Sequence, residues 1–329
     1  MTSSGSLASP TMIVAFAVAV TAMLAIDLGV FHRRAHEVRF REALGWSVVW
    51  VAMSLAFAAA VHRWVGPQSA LEFLTGYVVE KALSVDNIFV FVIVFAAFRV
   101  PAVLQHRVLF WGVSGALIMR AVFIATGAAL VQRFHWVIYG FGVLLVVTAV
   151  KLLFAPAEHA HPEKNPLFRL MKRFVPAVAE YDGQRFVTLR NGRRYATPLL
   201  MVLLLIETTD IVFAIDSIPA VFAVTSDPFI VYSSNVFAIL GLRAMYFVLA
   251  GFIDRLRYIK HGLAAILAFV GVKMLVSGVV KIPIGISLAV IAGILAVAVG
   301  ASLLADARSR AAQPPSVPPV PREEIPGVY

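Results

Sequence analysis

No cysteine occurs in the chain. That excludes disulfides, thiolate metal ligands and the soft-metal chemistry that depends on them. Charge is scarce too: Asp, Glu, Lys and Arg make up 14% of the residues while 60% are hydrophobic, and soluble domains average about 25% charged. Acids are the scarcer sign, 18 against 28 bases, for a formal net charge of +10. In a soluble protein that excess would suggest nucleic acid. Here the bases fall between long apolar runs, so they report membrane orientation, and no nucleic-acid partner is expected. Met1 to Pro10 holds no Lys or Arg, so the basic n-region of a signal peptide is missing and the first apolar run is expected to be a retained span. HExxH, a serine nucleophile elbow and a nucleotide-binding loop are absent as well, and nothing points to an enzyme.

What the chain does have is apolar runs. Nine are visible, at 12–31, 44–61, 70–98, 108–130, 135–154, 198–225, 228–253, 261–280 and 284–305. Most reach the roughly 20 residues that a helix needs to cross hydrocarbon, and they are too long and uniform for barrel strands. The fold class expected is therefore all-α: a polytopic integral membrane protein of about nine transmembrane helices, in contact with membrane lipid. Twenty Lys and Arg lie in the connections after runs one, three, five and seven and in the final tail, against only Arg63, Arg133 and Lys281 on the other side. The positive-inside rule then puts the N-terminus (1–11) outside and the C-terminus in the cytoplasm.

The expected organisation has two leading helices over 12–61, a three-helix unit over 70–154, a cytoplasmic loop over 155–197, a second unit over 198–280, a last helix over 284–305 and a disordered, proline-rich tail over 306–329. Within the loop, Leu167–Phe174 mixes apolar and basic residues as a surface-lying helix would. Arg185 to Thr197, with Asn191-Gly192 in the middle, reads as a β-hairpin. The loop is either a solvated connector or a docking surface for a cytoplasmic protein.

The two units match each other. Glu80 and Asp86 in run three fall on Asp210 and Asp216 in run six, six residues apart in both. Arg120 in run four matches Arg243 in run seven, and Lys151 in run five matches Lys273 in run eight. Each unit has an odd number of spans, so the second lies inverted relative to the first. Secondary transporters are built this way, with the substrate site near the midplane.

An ionisable side chain at membrane depth costs at least about 2.5–3.5 kcal/mol on insertion scales and reads by default as functional. Glu80 and Asn87 share a helix face, as do Asp210 and Ser217, since positions seven apart lie about 20° apart around the axis. Glu207 joins the second face. Asp86 and Asp216 point elsewhere in a regular helix, and a break at Pro219 would bring Asp216 round. The donor set is oxygen, which suits Mg²⁺, Ca²⁺ or Mn²⁺. No His lies deep in either motif. His62, His106 and His135 sit near run ends, Asp27 and Glu72 at interfaces, and Asp227 in a turn. The plainer reading is that the acids neutralise Lys81, Arg120, Arg243 and Lys273.

The segments Glu80-Lys-Ala-Leu-Ser-Val-Asp-Asn87 and Glu207-Thr-Thr-Asp-Ile-Val-Phe-Ala-Ile-Asp-Ser-Ile-Pro219 resemble the two signatures of the TerC family. Asp27-Leu-Gly29 and Ala43-Leu-Gly-Trp-Ser47 are similar to its Alx-type members. The resemblance spans about 12–305 and implies a multi-pass protein of the bacterial cytoplasmic membrane, in a family named for tellurium resistance that includes Mn²⁺ exporters. It implies Glu80, Asp86, Asn87, Glu207, Asp210 and Asp216 as metal residues, with Mn²⁺ as transported substrate and no tightly bound cofactor. Tellurite, an oxyanion, suits an acid-lined site poorly. The competing expectations are a membrane scaffold of a stress-resistance complex, with structural intramembrane charges, and an exporter of small organic cations. The sequence carries no sign of subunit number.

Overall fold

The computed structural model describes residues 10–31, 40–134, 136–154, 176–190, 192–252, 256 and 258–311. The expected surface helix at 167–174, Asn191 and the tail beyond 311 lie outside them. The elements are α1 (Pro10–Phe31), α2 (Phe40–Trp64), α3 (Pro67–Ala97), α4 (Ala102–Arg133), α5 (Val137–Phe154), β1 (Val187–Arg190), β2 (Arg193–Ala196), α6 (Pro198–Phe222), α7 (Pro228–Leu240), α8 (Leu242–Leu249), α9 (Ile259–Leu275) and α10 (Ile284–Ala311).

Local chemistry explains several boundaries. Pro67 and Pro198 open α3 and α6 in the first turn, where a missing N–H does no harm. Asp227 caps α7, its carboxylate accepting from the amides of Phe229 at 2.8 Å and Ile230 at 3.1 Å. What reads in sequence as a turn residue is thus the N-cap of a helix. Strands β1 and β2 pair antiparallel with Arg190 opposite Arg193. Gly192, at φ +74°, closes the two-residue turn.

Five helices, α2, α4, α5, α6 and α10, are long and apolar enough to cross a membrane. The pair α7–α8 makes a sixth, bent by 41°. α3 is 31 residues long but carries Glu72, Glu80, Lys81 and Asp86, and α9 has 17 residues. The outer faces are those of a lipid-bathed bundle, with Val18, Ile118, Val122 and Val297 all more than 60% exposed.

Two expectations are corrected. The seventh apolar run was expected to be a single helix, but it breaks at Gly241, where Lys81 and Trp50 crowd the backbone. Helix α6, expected to break at Pro219, instead runs through it to Phe222. The proline lies in the last turn, and its own carbonyl still accepts from Ala223 at 3.0 Å.

Helix α3 packs against α7 and α6, α6 against α4, and α5 along α9. Three apolar clusters surround the polar centre. One joins α3, α5, α6 and α9 around Leu145, Val221 and Leu263. A second joins α3, α4 and α6 around Ile88, Val108 and Leu199. The third is aromatic, with Phe57 centred 5.0 Å from Phe73 and 4.8 Å from Phe237. α5 and α9 approach backbone to backbone, so that a Cβ on Gly271 would lie 2.9 Å from the carbonyl oxygen of Gly142. Small residues at such a seam let helices pack without side chains between them.

Candidate functional site

Arg120 is the hub. It is 1% exposed on α4, and the nearby Ile118 and Val122 turn to the outer face of the bundle. Its Nη1 donates to Glu80 Oε1 of α3, to Asn235 Oδ1 of α7 at 2.8 Å and to Ser217 Oγ of α6 at 3.1 Å. Its Nη2 reaches Asp210 Oδ1 of α6 at 3.3 Å. One guanidinium, with five N–H donors fixed in a fork, therefore joins four helices. Asn87 of α3 donates from Nδ2 to the same Asp210 oxygen at 3.2 Å. The second oxygens, Glu80 Oε2 and Asp210 Oδ2, are buried with no hydrogen-bond partner.

Beside this hub lies a cavity of about 100 Å³. Its walls include Glu80, Asp86, Asn87, Asp216, Ser217 and Thr148. Thr148 of α5 donates to Asp216 Oδ1 at 2.9 Å, fixing that carboxylate against the cavity wall. Asp86 and Asp216 are half-buried, unlike the fully buried Glu80. No helix break is needed to bring Asp216 there, because the cavity is wide enough to meet two adjacent positions of each motif helix.

The six residues singled out in sequence thus do not share one place. Asp86, Asn87 and Asp216 face the cavity. Glu80 belongs to both the cavity and the Arg120 hub, and Asp210 belongs to the hub. Glu207 stands apart, its carboxylate lying against Gly115 of α4, where any Cβ would collide with it. Among the described residues, no three Asp, Glu or His side chains converge as a preformed metal cage. Charge pairing of the plainer kind holds for Arg120. Lys81 behaves differently: its ammonium donates to the carbonyl of Ala238 at 2.9 Å, next to the α7–α8 bend, rather than to a carboxylate. Arg243 is buried at the start of α8. Of Asp27's side chain nothing is described.

Sequence reasoning missed Asn235 and Thr148. Asn235 follows two serines inside an otherwise apolar run, all three fully buried, and that polar triplet was the available signal. Thr148 has no counterpart in sequence pattern, since a single threonine in a helix usually turns its hydroxyl to its own backbone.

The profile described as "Integral membrane protein TerC family" matches residues 65–310. A protein of Myxococcus xanthus named "Uncharacterized membrane protein STKORF319" is 55% identical over 299 residues, covering 91% of this chain and 94% of that one. The Escherichia coli (strain K12) protein named "Putative membrane-bound redox modulator Alx" is 49% identical over 289 residues, covering 85% and 90%. An "Uncharacterized membrane protein" of Rickettsia bellii is 40% identical over 285 residues, covering 87% and 94%. No solved structure matches the chain. With apolar helices enough for several crossings and a family profile that spans most of its length, this chain is a multi-pass integral membrane protein of the TerC family.

Proposed function

We propose that this protein is a secondary transporter that exports divalent cations, Mn²⁺ foremost, across the cytoplasmic membrane. The observation that carries the reading is that Asp86 and Asp216, which match in the two sequence units, line one cavity together with Asn87, Ser217 and Thr148. Two carboxylates, an amide and hydroxyls form a hard oxygen set, and hard dications prefer oxygen. A site that is not a closed cage also suits a carrier, because cargo must leave as readily as it enters.

In this reading the chain crosses the membrane nine times, counting α7–α8 as one span, with its N-terminus outside. Helices α3–α5 and α6–α9 are the two inverted halves. The packing supports this arrangement: α3 on α7 corresponds to α6 on α4, and α5 meets its own counterpart α9. The family's tellurium label and the redox wording in its relatives' names bear less weight. The chain has no cysteine to oxidise, and acids repel tellurite.

The test is uptake by purified protein in liposomes, run with Mn²⁺, Ca²⁺, Mg²⁺ and Zn²⁺. Wild type should carry Mn²⁺, and Asp86→Asn and Asp216→Asn should each abolish it, since each takes one negative charge from the cavity that would face the dication. Undiminished Mn²⁺ transport in both variants would sink the cavity as the route. No transport by the wild type of any of the four would leave the scaffold reading ahead.

A further inference from the structure

Among the described residues, Glu80 is the one acid that both binds Arg120 and lines the cavity. Its Oε1 is bound by Arg120, its side chain lines the cavity, and its Oε2 is buried with no partner. Glu80 lies in the first half of the chain, whereas the other three acceptors of Arg120, namely Asp210, Ser217 and Asn235, lie in the second. Arg120 itself sits on α4 of the first half. Its guanidinium is therefore both a bond between the halves and a permanent positive charge at the edge of the cavity. Arginine stays protonated in proteins, so it cannot leave by losing its proton. Another cation can only compete with it.

We propose that Arg120 is a built-in counter-cation to the cargo. With the cavity unloaded, the guanidinium neutralises Glu80 and Asp210 and interlocks the halves. An arriving dication draws Glu80 to itself through the free oxygen, Arg120 falls back on Asp210 and Asn235, and the interlock loosens. Release of the cargo restores it. Occupancy is thereby coupled to the contact between the halves without a titrating group. The proposal rests on the cation-export reading.

The test measures Mn²⁺ binding to the purified full chain by titration calorimetry, alongside uptake in liposomes. Arg120→Gln removes the competitor. Its Mn²⁺ affinity should rise at least about tenfold, equivalent to about 1.4 kcal/mol, while transport falls by about as much because cargo is no longer displaced. Arg120→Lys keeps one positive charge and should stay within about threefold of wild-type affinity. Methylguanidinium added to Arg120→Gln should weaken Mn²⁺ binding competitively, an effect that a merely structural arginine would not give. Unchanged or weaker Mn²⁺ binding by Arg120→Gln, in a sample that elutes and unfolds like wild type, overturns the proposal. Should Arg120→Gln not fold, Asn235→Leu loosens the guanidinium instead. It should raise affinity about threefold, and no rise overturns the proposal equally. If wild type neither binds nor carries Mn²⁺, the export reading fails and takes this one with it. If wild type does both and the variants gain no affinity, the competitor role alone fails.

Discussion

Asn87 donates to Asp210 across 123 residues of sequence, at 3.2 Å. An amide of the first acidic motif thus satisfies a carboxylate of the second, to which, among the described residues, one other side chain donates, Arg120. Removing a partner from a buried, charged acceptor costs more than the bond itself contributes, typically about 1–3 kcal/mol.

Asn87→Leu is therefore expected to lower stability by about that amount. Ser217→Ala, which removes one of Arg120's several acceptors, should cost less. Thermal unfolding of detergent-purified protein, followed by circular dichroism, gives the order. A larger loss for Ser217→Ala would contradict the hub geometry.

The α5–α9 seam makes a second prediction. A Cβ at Gly271 would lie 2.9 Å from the Gly142 carbonyl oxygen, whereas Cβ atoms at Gly293 and Gly300 of α10 would meet nothing within 4 Å. Gly271→Ala should destabilise by about 1–3 kcal/mol, the usual range for overpacking. Gly293→Ala should be neutral or mildly stabilising, as Ala is the better helix former by about 1 kcal/mol. The same melting experiment, run on both, decides.

At the start of α7 the cap predicts a difference between two substitutions. Asp227→Asn keeps an oxygen for the amides of Phe229 and Ile230 and should change stability by only a few tenths of a kcal/mol. Asp227→Ala should cost about 1 kcal/mol. On the export reading, neither variant should differ from wild type in Mn²⁺ transport, because the cap is no part of the cavity. Equal melting of the two variants would argue that the cap is not formed.

Topology predicts where a reporter is active. Alkaline phosphatase and green fluorescent protein fused after Gly192, and separately after Tyr329, should show fluorescence and no phosphatase activity at both places. Phosphatase activity at either would reverse the orientation drawn from the Lys and Arg asymmetry, and the inverted halves would go with it.

Much of this architecture was legible because a bilayer leaves few options. Backbone groups in hydrocarbon must bond within their own segment, so runs such as 108–130 and 284–305 had to be helices. The acids stood out for the same reason: Glu80 and Asp210 are anomalies in apolar sequence whatever their role. Their partners were harder to read. Asp210 lies 90 residues from Arg120 and Glu80 lies 40 away, and helical spacing on one segment carries no information about the segment that will face it. The Gly241 bend was hidden because a glycine in an apolar run is common in spans, and the groups that crowd this one, the Lys81 ammonium and Trp50, come from other helices. Pro219 misled in the opposite direction: it forgoes the bond to the Ile215 carbonyl and crowds it, yet the helix holds through that turn to Phe222.

The contact of Gly142 with Gly271 has a mechanical consequence. Where the two main chains touch, the side chains of Val146 and Leu275 lie close enough to rearrange, and a rotation of one helix against the other would pivot there. Thr148, which steadies Asp216 at the cavity wall, lies six residues along α5 from Gly142, a lever arm of about 9 Å. A turn of about ten degrees about the fulcrum carries that hydroxyl roughly 1.5 Å, about the difference between a hydrogen bond and a gap.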